Sequence, residues 1–196
     1  MRETYYVKTF GGLEITNDNV TVNIVELFGK QLVNLLQVLL FHSEKPVQKD
    51  ELIDILWPES KNPSSALKFS IFRLRSELNE IDFFKDKEVI VTTRKGYILN
   101  PNLDWNIDFV ELQKAYNQIN EGAELLDEKE FKIARKIFRL YQGRFYASPS
   151  QLHWILQKQE VFRQMYVKTM MRTSCYLYTQ KRYDEMMLMN YQAVLI

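Results

Sequence analysis

The spacing of apolar residues in the first half of the chain changes from the period of a strand to that of a helix and back again. Residues 5–15 and 20–24 alternate or are β-branched and are separated by turn residues, which predicts a small antiparallel sheet. From residue 30 the leucines recur at helical spacing. Two further β runs, 89–93 and 97–99, predict a tight hairpin. A chain with this order of periods is expected to be α+β.

Between the sheet and the hairpin the pattern predicts three successive helices. The first runs from residue 30 to about 43, and Pro46 separates it from the second, which starts near residue 48 and stops before Pro58. Asn62 and Pro63 provide a cap and a first helical residue for the third helix, over 63–78.

Charge is distributed in blocks that the total conceals. The 26 basic and 25 acidic residues give a net charge of +1. Residues 61–76 contain four basic residues and no acid, the hairpin tip contains Arg94 and Lys95, and residues 131–182 contain 11 basic residues and one acid. Residues 1–103 as a whole carry a net charge of −1. Positive patches therefore exist, but the first hundred residues contain few basic side chains with which to neutralise phosphates.

The predicted helix over 63–78 has two unlike faces. Winding it at about 100° per residue places four aliphatic side chains on one face. The opposite face carries serines and phenyl rings flanked by basic side chains: Ser65, Lys68, Phe69, Phe72, Arg73 and Ser76. Since exposed phenyl rings lose the benefit of burial, we expect something to cover this face. It either packs on a downstream segment or enters the major groove of DNA, where arginine binds guanine edges and apolar groups contact thymine methyls.

Three segments carry a resemblance to a known family. They are Leu52-Ile53-Asp54 with Leu56-Trp57, then Arg73-Leu74-Arg75 with Leu78, then Arg94 with Gly96-Tyr97. In this order and spacing they resemble the OmpR-type winged helix of SARP-class bacterial transcriptional regulators, over residues 5–103. The resemblance implies a winged helix-turn-helix with a small antiparallel sheet and a wing hairpin.

The resemblance also implies a DNA-binding site. The helix over 63–78 would enter the major groove, and the wing tip, 94–96, would lie at the adjacent minor groove. Arg73 is then the base-edge contact, Phe69 a methyl contact, and Arg75, Lys49 and Arg94 contact phosphates or the groove. The remaining predicted DNA-binding residues are Ser65, Lys68, Phe72 and Lys95.

The second half of the chain is predicted to be all-α. Helical periodicity covers 109–119, 127–141 and 152–178 and resumes near residue 183, after an acidic linker over 104–108. These paired helices resemble the bacterial transcriptional activator domain, a tetratricopeptide-like (TPR-like) region. We therefore predict two domains, 1–103 and 104–196. Because the apolar end over 191–196 lacks a polar cap, we expect the helical domain to be truncated or to continue in a longer regulator.

The basic block over 131–182 has three interpretations: a solvated helical face, a second phosphate-contacting surface, or a docking surface for an acidic partner. The sequence leaves these open.

The principal prediction is a cytoplasmic, sequence-specific regulator that binds double-stranded DNA. The low domain charge predicts that it binds as a homodimer or at tandem sites, and RNA polymerase or another protein is a possible further partner. The alternative is an adaptor that does not bind DNA and instead docks proteins through Phe69, Phe72 and the TPR-like helices. No membrane span, catalytic motif, cofactor or metal site is predicted, and the lone Cys175 is expected to be a buried small hydrophobe.

Overall fold

The computed structural model describes residues 3–119, 125–147 and 152–194. They form two compact units. The N-terminal unit consists of residues 1–6 and 14–105, and the helical unit consists of residues 7–13 and 106–196. The boundary near residue 105 lies two residues after the predicted one, and the sequence did not predict that residues 7–13 belong with the helices.

The elements confirm an α+β N-terminal unit followed by a helical region. A single 3₁₀ turn, Asp82–Phe84, follows the fourth helix. In chain order the strands and helices are β1 (Thr4–Lys8), β2 (Glu14–Asn17), β3 (Val20–Asn23), α1 (Ile24–Leu27), α2 (Lys30–Phe41), α3 (Lys49–Leu56), α4 (Pro63–Asn79), β4 (Ile90–Thr92), β5 (Tyr97–Leu99), β6 (Asp104–Ile107), α5 (Asp108–Tyr116), α6 (Glu128–Leu140), α7 (His153–Thr179) and α8 (Tyr183–Val194).

The first sheet has the strand order β3-β2-β1-β6. The prediction of a linker over 104–108 is therefore wrong, because the first four of these residues form strand β6. Trp105 explains this difference, because its ring centroid lies 5.3 Å from that of Tyr5 and 5.8 Å from that of Phe84. Such aromatic contacts stabilise the sheet by more than the burial of area alone, and they depend on residues that are distant in sequence.

Helices α2, α3 and α4 pack against one another as the core of the N-terminal unit. The four aliphatic residues on the inner face of α4, Leu67, Ile71, Leu74 and Leu78, are at most 2% exposed. This confirms the predicted orientation of the helix. Pro63 is its first residue as predicted, but the side chain of Asn62 makes no capping hydrogen bond, because its backbone lacks the extended conformation of an N-cap.

In the helical unit each helix packs on the next, α5 on α6, α6 on α7 and α7 on α8. Asp127 and Glu130 form a capping box at the start of α6, with hydrogen bonds of 2.7 and 3.0 Å. The predicted helix end at Gly122 and the predicted turn over 148–150 lie outside the described residues.

Residues 7–13 are held in the helical unit by one half-buried carboxylate, that of Asp108. Asp108 accepts hydrogen bonds from the backbone amides of Thr9, Phe10 and Phe109 and from the Thr9 hydroxyl. Burial raises the pKa of Asp108 above its usual range, although these donors favour the charged form. The Phe10 ring completes the attachment, since its centroid lies 5.3 Å from that of Phe162.

Cys175 is exposed rather than buried, because it lies on the outer side of α7. Among the described residues, no helix is long and apolar enough to cross a membrane, and no cluster of side chains could hold a metal ion.

Candidate nucleic-acid interface

The outward face of α4 presents phenyl rings and basic side chains together. Phe69 is 62% exposed and Phe72 is 69% exposed. Ser65 and Lys68 lie beside them and are also exposed. Packing within the N-terminal unit therefore does not account for the two rings, and the face is open to a partner.

Arg73 lies on the same face and forms an ion pair with Glu77 one turn later. The Arg73 Nη2 atom lies 3.2 Å from Glu77 Oε1, and the two side chains are 51% and 38% exposed. An exposed pair at this helical spacing contributes about 0.3–0.5 kcal/mol, so the guanidinium can exchange the carboxylate for a base edge at small cost. Sequence reasoning missed Glu77, although its spacing of four residues from Arg73 is the ordinary signal for such a pair.

Arg75 has a different environment from Arg73. Its Nε and Nη2 atoms donate to the Ile90 carbonyl oxygen at 3.0 and 2.8 Å, and Nη2 also donates to the Thr92 hydroxyl at 2.8 Å. The guanidinium therefore attaches α4 to strand β4. This engagement favours a structural role over the phosphate contact that the resemblance implies, and no signal in the sequence identifies it.

The hairpin tip is shaped by a threonine. Strands β4 and β5 pair antiparallel with Thr92 opposite Tyr97, and the Thr93 hydroxyl accepts hydrogen bonds from the amides of Lys95 and Gly96 at 3.2 and 3.1 Å. The turn leaves Arg94 and Lys95 exposed. Two cations are thus held at the end of a short hairpin, as the sequence predicts.

The base of the hairpin is attached to the segment before α3. Val47 and Tyr97 exchange backbone hydrogen bonds of 2.8 and 3.0 Å. Gly96 has a φ of +150°, and a Cβ atom at this position would lie 1.8 Å from the Val47 carbonyl oxygen. Only glycine fits there. The Lys49 ammonium lies 6.0 Å from the centroid of the Tyr97 ring, so this predicted contact residue lies near the hairpin.

Residues 25–99 match the family described as "Transcriptional regulatory protein, C terminal". No curated protein sequence matches the chain.

Among solved structures, Mycobacterium tuberculosis EmbR in complex with a low affinity phosphopeptide matches with a TM-score of 0.63 and 17% identity. The match covers 94% of this chain and 48% of the EmbR chain, so the present chain spans about half of that structure. The DNA-binding domain of Escherichia coli CadC matches over 50% of this chain and 92% of its own, with 25% identity and a TM-score of 0.37.

The family match covers the helix-turn-helix and the hairpin, and the EmbR match covers both units. The structural match confirms the predicted fold class, a winged helix followed by a helical domain.

Proposed function

Because residues 25–99 match the family described as "Transcriptional regulatory protein, C terminal", we propose that the protein binds double-stranded DNA with α4 in the major groove and Arg94 and Lys95 at the adjacent minor groove. The observation that carries this proposal is the exposed face of α4. The phenyl rings match thymine methyls, and the Lys68 and Arg73 side chains match phosphates and guanine edges. A face that contacts only water would favour the charged side chains but not the rings.

Each contact residue has a distinct role in this proposal. Arg73 reads a base edge, and Phe69 and Phe72 contact methyl groups. Lys49, Ser65 and Lys68 position the helix on the phosphates and sugars, and these contacts carry no sequence information. Arg75 supports the interface by holding the hairpin against α4.

The small number of cations limits the affinity of one copy. Binding to phosphates falls with salt at a log-log slope of about −0.9 per contact, so a domain with few contacts binds weakly. We propose that two copies bind tandem or paired sites, which can raise the apparent affinity by about 10²–10⁴-fold. The helical unit is the part of the chain available for this self-association or for contact with another protein.

The experiment is selection of bound sequences from random duplex DNA, followed by fluorescence anisotropy of the selected duplex over a range of salt. Arg73→Ala should cost about 1–3 kcal/mol at one base position and relax the preference there. Arg94→Ala should weaken all duplexes alike and reduce the salt slope by about 1. Lys85→Ala, an exposed lysine of the same unit outside the proposed interface, is the control with the same change in charge.

Two results would overturn the proposal. One is a double Arg73→Ala, Arg94→Ala variant with unchanged affinity and salt slope. The other is a lack of affinity for random duplex at low salt, which would favour the adaptor function, in which the exposed rings of Phe69 and Phe72 dock on protein.

A further inference from the structure

The helical unit contains a groove that DNA binding by the N-terminal unit does not use. Helices α6 and α8 both pack on α7 and leave between them a groove of about 750 Å³, lined by residues of all three helices. This volume lies within the range of about 300–1,000 Å³ that is typical of ligand sites.

The floor of the groove is apolar and closely packed. Phe131, Tyr166 and Leu177 line it and are buried. The Tyr166 ring stacks on Tyr141 at 4.5 Å and meets the edge of Phe138 at 5.6 Å. Rings fixed in this way form a rigid surface that suits aliphatic side chains of a partner.

One rim of the groove is basic and uncompensated. Lys132, Arg135 and Arg139 lie on one face of α6 and are all exposed. None of their side chains forms a hydrogen bond or an ion pair with any residue in the described part of the chain. The acid that lines the groove, Glu185, is itself paired with Arg182. A ligand with carboxylates is therefore the electrostatic complement.

The other rim, on α8, combines the apolar side chains of Leu188 and Met189 with the polar side chains of Glu185 and Gln192. Leu188 is 59% exposed, and Met189 and Gln192 lie beside it. Since Glu185, Leu188, Met189 and Gln192 recur at helical spacing, the whole inner face of α8 borders the groove. The ligand consequently meets cations on the α6 side, and Leu188 and Met189, together with Gln192 and the paired Glu185, on the α8 side.

We propose that this groove binds an acidic amphipathic helix of a partner protein. The cations at positions 132 and 139 are about 10 Å apart along α6 at a rise of 1.5 Å per residue, which is the length of two helical turns. A partner helix with carboxylates at i, i+3 or i+4, and i+7 presents them at the same interval. Its neighbouring apolar stripe lies on the ring floor and against Leu188.

DNA is a poorer occupant of the same groove. A phosphate backbone that contacted the basic rim would lie against Phe138 and Leu188, where its oxygens lose water and gain no donors. Part of the basic block over 131–182 is therefore proposed to contact an acidic protein partner and not DNA. It is independent of the proposed interface with DNA, which lies in the other unit.

The test is anisotropy of a labelled synthetic peptide of about 18 residues, with leucine at i, i+3, i+4 and i+7 and glutamate on the adjacent face, titrated with the full chain. We expect salt-sensitive binding. The triple variant Lys132→Glu, Arg135→Glu, Arg139→Glu should weaken it by at least about tenfold, and Leu188→Asp should do so without a change in charge at the basic rim.

The control variant is Lys129→Glu, on the same helix but outside the groove, which should bind like the wild type. A matched peptide with lysine in place of glutamate should not bind. Circular dichroism establishes that each variant remains folded, and affinity for the selected duplex should be unchanged in all of them.

The proposal is overturned if the glutamate peptide does not bind, or if the lysine peptide binds equally well. It is also overturned if the triple variant loses affinity for duplex DNA while peptide binding persists, because the rim would then be a second phosphate-contacting surface. Failure of DNA binding by the wild type, with peptide binding intact, would refute only the function proposed for the N-terminal unit.

Discussion

Replacing Arg75 by alanine is expected to destabilise the N-terminal unit as well as to weaken DNA binding. Three donor contacts join its guanidinium to the Ile90 carbonyl and the Thr92 hydroxyl at 2.8–3.0 Å. Hydrogen bonds from charged groups contribute about 1.5–3 kcal/mol in net terms. Two of the three share one acceptor and the side chain is half-buried, so the contributions do not add.

We therefore expect the free energy of unfolding of the N-terminal unit to fall by about 2 kcal/mol, which for a unit of about 100 residues lowers its Tm by about 8–16 °C. The measurement is thermal and urea unfolding of the full chain, followed by circular dichroism. Because the two units can unfold separately, hydrogen exchange should localise the effect, with faster exchange of the amides of residues 93–99.

Two variants distinguish this role from a phosphate contact. Arg73→Ala removes a charge from the same helix but only an exposed ion pair, so its stability should change by no more than about 0.5 kcal/mol. Arg75→Lys retains the charge but loses the planar set of donors, so it should restore only part of the stability. The reasoning is refuted if Arg75→Ala unfolds and exchanges like Arg73→Ala.

Three further predictions concern single residues. Glu77→Gln should raise DNA affinity by about two- to fivefold at low salt, because it releases Arg73 from an exposed pair and removes an acid near the phosphates; anisotropy at two salt concentrations should show the gain shrinking as salt rises, and a loss of affinity would contradict it. Gly96→Ala should cost about 3 kcal/mol in unfolding, because its Cβ meets the Val47 carbonyl at a positive φ; an unchanged urea midpoint would disprove the strain. Asp108→Asn should cost about 2 kcal/mol, because the amide nitrogen cannot accept from the buried donors around it, and hydrogen exchange over residues 7–13 should increase; equal exchange in variant and wild type would exclude the anchoring role.

Helix α4 shows which structural features the sequence pattern can predict. The spacing of Leu67, Ile71, Leu74 and Leu78 predicted the buried face and placed Phe69 and Phe72 on the opposite one, as helical geometry requires. The bounds of α2, α3 and α4 agree with the predicted ones to within about two residues for the same reason. That both rings are exposed, instead of packed on a downstream segment, was decided by the tertiary structure.

Arg73 and Arg75 show which structural features the sequence pattern could not predict. Both are arginines of one motif, and their spacing alone makes both candidates for DNA. The structure gives Arg73 a weak partner on its own helix and gives Arg75 a strong one on strand β4, 15 residues later. Which cation remains available is decided by the folding of the hairpin onto α4, a contact that no local pattern encodes.

By itself, the sequence predicted the order of the strands and helices apart from α1 and β6, the inward face of α4, and the residues that resemble a winged-helix motif, because these depend on residue type and spacing along a few turns. Only the tertiary structure decided that 7–13 joins the helical unit and that 104–107 is a strand. It also decided that Lys132, Arg135 and Arg139 border a groove and have no side-chain partner in the described part of the chain. Those features depend on groups brought together from distant positions, where the hydrogen bonds to Asp108 or the contact of the Trp105 and Tyr5 rings outweigh local preference.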